Sequence, residues 1–217
     1  MSTTPTNEHV KLTEAFDYFN GALFGGELPA CMITLQRKAN ARGYYAHHNW
    51  QERAGEGKVS EIAMNPDTFG ERDDRSILST LVHEMCHLWQ FVYGEPSTGG
   101  YHNKSWGARM VSVGLIPSST GMPGGKRTGT KVSHYIEVGG AFDSACTKLL
   151  ATGFAIDWQT VHGESPERRA AKRASKTKYT CPDCGANAWA KPGANLVCGD
   201  CDAHLAPEEQ DGDEGDA

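Results

Sequence analysis

The stretch HEMCH, residues 83–87, restricts this chain more than any other. It lies within RDDRSILSTLVHEMCHLWQFVYG, whose length and apolar spacing predict the longest helix, capped by Asp73 or Asp74 and stopped at Gly94. Side chains four apart share a helix face, so His83 and His87 can aim both imidazoles at one point. A tetrahedral ion there would sit about 2.0–2.1 Å from each nitrogen. Glu84 is rotated by roughly 100° from His83, which suits it less to ligation than to facing a water beside the ion. It can accept a proton as that water attacks a peptide carbonyl, then return it to the leaving amine. The plainer reading is two ordinary histidines on a core-facing helix with Glu84 in solvent. Helix, spacing and intervening Glu coincide, and this selects the catalytic zinc.

Such a zinc needs a third protein ligand and an open fourth position. The extended motif xxGxxH would require a glycine and a histidine where the chain has Gln90 and Tyr93, so that class is excluded. Glu137 is a possible ligand in a separate segment without a supporting motif. His102, opening the predicted helix HNKSWGARMVSVG, is the stronger candidate.

Four of the seven cysteines form a second constellation. CPDC and CGDC place Cys181, Cys184, Cys198 and Cys201 as two CxxC pairs thirteen residues apart. Four thiolates at that spacing close a tetrahedral structural zinc, and a segment of about 30 residues hardly folds without one. Two redox pairs would need a thioredoxin-like context that is absent. The pattern fits a reducing compartment, with Cys31, Cys86 and Cys146 left as scattered thiols. Cys86, inside the motif, reads as a small apolar core thiol rather than a ligand. Trp89 and Trp106 read as helix-packing residues.

The remaining elements predict an α+β architecture. LTEAFDYFNGAL is an amphipathic helix; CMITLQ, GYYAHH and KVSEIAMN are strands of a small antiparallel or mixed sheet. LIPSSTGMPGGKRTGTK reads as a Gly/Pro-rich loop and VSHYIEV as a strand. FDSACTKLLAT reads as a helix with Asp143 or Ser144 near its cap, and GFAIDW as a further strand. The expected organisation is a main domain over 8–163, a basic linker over 164–178, a zinc ribbon over 179–206 and an acidic disordered tail over 207–217. The last ten residues carry six acids and no base, so the net charge of −6 leaves the rest of the chain at zero. A local basic surface is therefore compatible with the acidic total.

Three segments, FDYFNGALFGGELP, HEMCH and YHNKSWGARM, together with the trailing ribbon, resemble the SprT-like metalloproteases, the SprT and Spartan group. The resemblance spans residues 12–110 and 179–201. It implies a zincin-like metalloprotease domain followed by a small zinc ribbon, with His83, His87 and His102 as catalytic zinc ligands and Glu84 as the base. It further implies two zinc ions per chain and protein substrates bound or crosslinked to DNA. An oxyanion stabiliser is expected among Tyr93, Tyr101, His134 and Tyr135, with none singled out.

Arg168, Lys172 and Lys176 recur every four residues, with Arg169 and Arg173 beside them and Lys178 following. If helical, this is a basic stripe able to neutralise phosphates of single-stranded or otherwise exposed DNA, with Tyr179 and Trp189 near enough to stack on bases. A solvated linker is the equal alternative. The acidic tail is a possible competitor for that stripe. No apolar run reaches membrane-spanning length and the first residues lack a signal-peptide core, so the expected location is the cytoplasm, on the nucleoid if the source is bacterial. Two rival functions stay open: a DNA-binding or transcription-associated adaptor without essential proteolysis, and a protease of free proteins.

Overall fold

The structure, a computed structural model, describes residues 8–161, 171 and 174–208. Arg168, Arg169, Lys172 and Arg173 of the predicted stripe lie outside the described residues, as does the tail beyond Glu208. The chain divides into two compact units, Met1–Gly163 and Glu164–Ala217. Among the described residues no helix is long and apolar enough to cross a membrane.

Helix α1 (Glu8–Phe24) buries Leu12, Ala15, Phe16 and Phe19, the stripe its spacing predicts. It ends where Gly25 and Gly26 take φ of 68° and 76°, a conformation open to residues without a Cβ. The Asn20 amide then holds both main-chain groups of Leu28 at 3.1 Å, turning the chain into β1 (Cys31–Leu35). Strands β2 (Gly43–Gln51) and β3 (Lys58–Met64) complete a mixed sheet of order β1-β3-β2, with β3 parallel to β1 and antiparallel to β2. Ser60 to Met64 are all buried, as expected of a central strand covered on both faces. Strand β2 is an edge, bulged between Ala46 and Trp50, with His48 at φ 46°.

Helix α2 (Asp74–Tyr93) is capped by Asp73, whose carboxylate accepts the Ser76 N–H at 2.8 Å, and is closed by Gly94. Every residue from Ile77 to Cys86 is buried. The sheet and the helices α1, α3 (Lys104–Ser112) and α4 (Ala141–Ala151) pack around it, so α2 is a core helix with polar side chains inside. Cys86 is fully buried among them, as an apolar thiol should be. Asn103 caps α3 through Trp106 N–H at 3.0 Å and accepts the Gln90 amide at 2.7 Å, tying α3 to the end of α2.

Two local expectations are corrected, and the cap of α4 is defined more closely. Leu115–Ser118, expected as the start of a loop, forms β4, antiparallel to β5 (Ser133–Ile136). Pro117 is tolerated because a two-stranded ribbon consists only of edges. Helix α4 is capped by Gly140 without a side-chain bond; Asp143, in its first turn, instead accepts Gly139 N–H at 2.9 Å and pairs with Arg75. Residues 153–158 form no strand. Their main chain is held by side chains: Ile156 N–H by Asp74 at 3.3 Å, Asp157 N–H by Glu8 at 3.2 Å, and Ala155 C=O by Lys11 at 2.8 Å. Phe154 and Ile156 still pack on the core, which accounts for their apolar character.

In the second unit, β6 (Thr177–Thr180) lies between β7 (Asn187–Ala190) and β8 (Ala206–Pro207). Each CxxC pair closes a tight turn: Cys181 N–H bonds Ala186 C=O at 2.8 Å and Cys198 N–H bonds Ala203 C=O at 2.9 Å. The residue after each pair, Gly185 or Asp202, has positive φ, 74° and 52°.

Candidate metal centre

His83 and His87 come from successive turns of α2, and His102 immediately precedes the Asn103 cap of α3. Their potential ligand atoms all lie within 4.8 Å of one another. Glu137, the alternative third ligand, is exposed on the turn leading to α4 and does not join them. Trp106 forms the floor, with its ring centroid 4.4 Å from His102, 4.9 Å from His83 and 5.1 Å from His87. It packs helices, as expected, but does so through the imidazoles themselves.

His102 is held from outside by the loop beyond β4. It exchanges main-chain hydrogen bonds with Gly129 at 2.8 and 3.1 Å, and its Nδ1 meets Gly129 C=O at 3.1 Å. A carbonyl only accepts, so Nδ1 carries the hydrogen and Nε2 is left as a lone-pair donor. Burial pushes the His87 pKa down to about 3, aided by the nearby His102, while a bond to Gln90 works the other way. Burial likewise drives His83 well below the usual imidazole range and lowers His102. Burial therefore favours the neutral form of all three rings, the state in which imidazole binds a metal. Three neutral nitrogens at this separation fit a tetrahedral ion of the zinc type with one position open.

Glu84 is buried on the same helix. Burial pushes its pKa up to about 8, against the pull of Lys38 and a hydrogen bond from the Tyr45 main chain. It neither lies in solvent nor ligates; it sits between the histidine helix and the edge strand β2. Of the four residues considered for oxyanion stabilisation, Tyr93 donates its hydroxyl to Glu27 C=O at 2.6 Å. His134 has both ring nitrogens engaged, with His83 at 3.0 Å and Ser79 at 2.9 Å. Tyr135 follows His134 on β5 and projects to the other face. Tyr101 is adjacent to His102 and half-exposed.

Compared with models of known families, residues 12–128 match the SprT-like family, which is more than half of the chain. The chain belongs to the SprT-like family. The SprT-like match contains His83, Glu84, His87 and His102 and ends before His134 and before the cysteine ribbon. An uncharacterized protein in the mucB 3' region of Salmonella typhimurium is 42% identical over 59 residues, a segment covering 27% of this SprT-like chain and 80% of that protein.

The second group of the SprT-like chain that could hold a metal is Cys181, Cys184, Cys198 and Cys201, whose sulfurs also gather within 4.8 Å. Cys184 and Cys198 are 3.7 Å apart. The Cys184 main-chain N–H, foremost among several bonds, draws the Cys181 pKa down to about 7. Four sulfurs gathered so closely fit a zinc ribbon.

Two of the predicted nucleic-acid contacts change character. Tyr179 is buried, its hydroxyl donating to Lys191 C=O and accepting from Ala194 N–H, both at 3.0 Å. It is a ribbon core residue with no free face for a base. Lys178 is paired to Glu208 at 2.8 Å, and Lys176 lies in extended chain before β6, so the helical spacing does not continue through it. Trp189 stays 64% exposed, directly across from Lys178 in the ladder.

Proposed function

We propose that this chain is a zinc-dependent endopeptidase that cleaves proteins bound or crosslinked to DNA. The observation that carries the peptidase reading is the clustered triad of buried His83 and half-buried His87 and His102, with Glu84 buried on the helix of the first two. Membership of the SprT-like family supports a metallopeptidase; the DNA-linked substrate rests on the resemblance and on the exposed Trp189 with its lysine neighbour.

His83, His87 and His102 would hold the catalytic ion and the four cysteines a structural one. Zinc at the histidines would supply Lewis-acid activation of a water and of the scissile carbonyl. A cation held by the histidines would favour the ionised form of Glu84 over the protonated form that burial favours, and that carboxylate would accept the proton of the attacking water and deliver it to the leaving nitrogen. The free edge of β2, beside Glu84, offers main-chain groups to an extended peptide. Trp106 and the surrounding core exclude water from the rear of the site.

The test is cleavage of a DNA-binding protein by zinc-loaded protein, with and without single-stranded DNA, beside Glu84→Gln. The expected outcome is DNA-stimulated cleavage that falls by about 10²–10⁴-fold in the variant while zinc content is retained. Equal cleavage with and without DNA would leave a protease of free proteins, and no cleavage with zinc bound would move the assignment to a binding role.

A further inference from the structure

His83 is the metal-site histidine whose outer nitrogen meets neither a carbonyl nor a carboxylate. Its Nδ1 faces Nδ1 of His134, a residue on β5, at 3.0 Å. Two imidazole nitrogens in contact need one proton between them, and the contact alone does not say which ring owns it.

The answer comes from Ser79, one turn earlier on α2. Its hydroxyl donates to Ser76 C=O at 2.8 Å, a back-bond within the helix. A hydroxyl has a single proton, and with that proton directed to Ser76 C=O the Ser79 oxygen accepts towards His134. His134 Nε2, 2.9 Å away, therefore carries a hydrogen. In a neutral His134 the other nitrogen is then a bare acceptor, and the proton between the rings belongs to His83. His83 is left with a lone pair on Nε2, the nitrogen available to the donor cluster. The opposite order would place the hydrogen on His83 Nε2 and close that nitrogen to any metal.

We propose that His134 is a positioning residue: with Ser79 it forms a proton-ordered chain, Ser76 C=O to Ser79 to His134 to His83, that fixes His83 in the tautomer able to bind the metal. The proposal rests on the metal-centre reading given above. It gives β5 a function, since this strand brings to α2 a residue 51 positions away in sequence. It also removes His134 from the residues able to stabilise an oxyanion.

The test uses the full chain with zinc as the probe, its affinity at the histidine site read by competition with a chromophoric chelator. His134→Phe keeps the ring volume and loses both nitrogens; it is expected to weaken zinc binding by about 10–100-fold. His134→Asn keeps an acceptor where Nδ1 stood and is expected to restore most of that loss. A packing role predicts the reverse order, because Phe fills the space and Asn leaves a void. Unchanged affinity in His134→Phe, or Asn no better than Phe, would overturn the proposal. Ser79→Ala, which removes the acceptor of the His134 Nε2 hydrogen, is the second variant and should also weaken binding. In wild-type protein labelled with ¹⁵N-histidine and freed of metal, two-bond ¹H–¹⁵N correlations should show hydrogen on Nδ1 of His83 and on Nε2 of His134. Hydrogen on Nε2 of His83 would refute the chain. That reading holds even if the histidines of the wild type take up no zinc, an outcome that would sink the metal centre instead.

Discussion

Glu8, the first residue of α1, carries an unusual burden for a helix N-terminus. It is buried, one carboxylate oxygen accepts Asp157 N–H at 3.2 Å, and the other has no partner. Burial raises its pKa above the ordinary value despite the Asp157 bond and Lys11. A folded-state pKa above the unfolded one contributes stability that is fully present below the unfolded pKa and is lost as pH rises through the folded pKa. Glu8→Gln removes that loss. The variant is therefore expected to gain on the wild type between pH 4 and pH 7, read as the difference in midpoint from paired urea titrations. A constant difference across that range would refute the assignment. At the same scale, the identities of His83, Glu84 and His87 were legible from spacing alone. The roles of Ser79 and His134 were not, because no local pattern joins residues 55 apart.

At the scale of elements, two junctions position the site. Asn103 both caps α3 and accepts from Gln90 of α2, immediately beside His102. Asn103→Ala is expected to cost about 1–2 kcal/mol in stability from the lost cap and to weaken zinc at the histidines together with it. Asn103→Asp, which keeps the acceptor, should spare both, and a loss of stability without any change in zinc affinity would separate the cap from the site. Gly114, between α3 and β4, has φ 81°, and a Cβ there would stand 2.8 Å from Ala141 N. Gly114→Ala combines left-handed strain with a main-chain clash, so a destabilisation of more than about 1 kcal/mol is expected from chemical denaturation. A neutral result would show that the junction with α4 can yield. Spacing predicted α1 well because it buries a stripe of its own. Residues 153–158 misled for the same reason: their apolar side chains face the core, while side chains of α1 and α2, distant in sequence, bind their main chain.

The whole molecule holds itself together in two ways. The first unit has a continuous apolar core from Leu12 to Leu149, whereas among its described residues the second buries little beyond Tyr179, Cys181 and Cys198. A small unit with so little core is expected to depend on a metal at its four cysteines for folding. We expect two zinc ions per chain by elemental analysis, one lost in His102→Ala and the other in Cys181→Ser. Chelation should collapse the NMR dispersion of residues 177–207 and expose their four thiols to reagent, while Cys86 and Cys146 stay protected inside a folded first unit. Finding one zinc, or a ribbon that survives chelation, would overturn half of the metal assignment.

The sequence by itself determined the His83–His87 pair and the four cysteines, the helix that carries the pair and the turns that carry the cysteines. These are local facts: a period of 3.6 residues places His83 over His87, and two residues between cysteines suffice to close a knuckle. Only the tertiary structure decided that His102 rather than Glu137 completes the triad, that Glu84 is buried against β2, that Tyr179 is core, and that His134 stands behind His83. Each of these depends on which distant segments share a core. That is settled by the burial of apolar surface across the whole unit, with the buried polar groups then required to find partners.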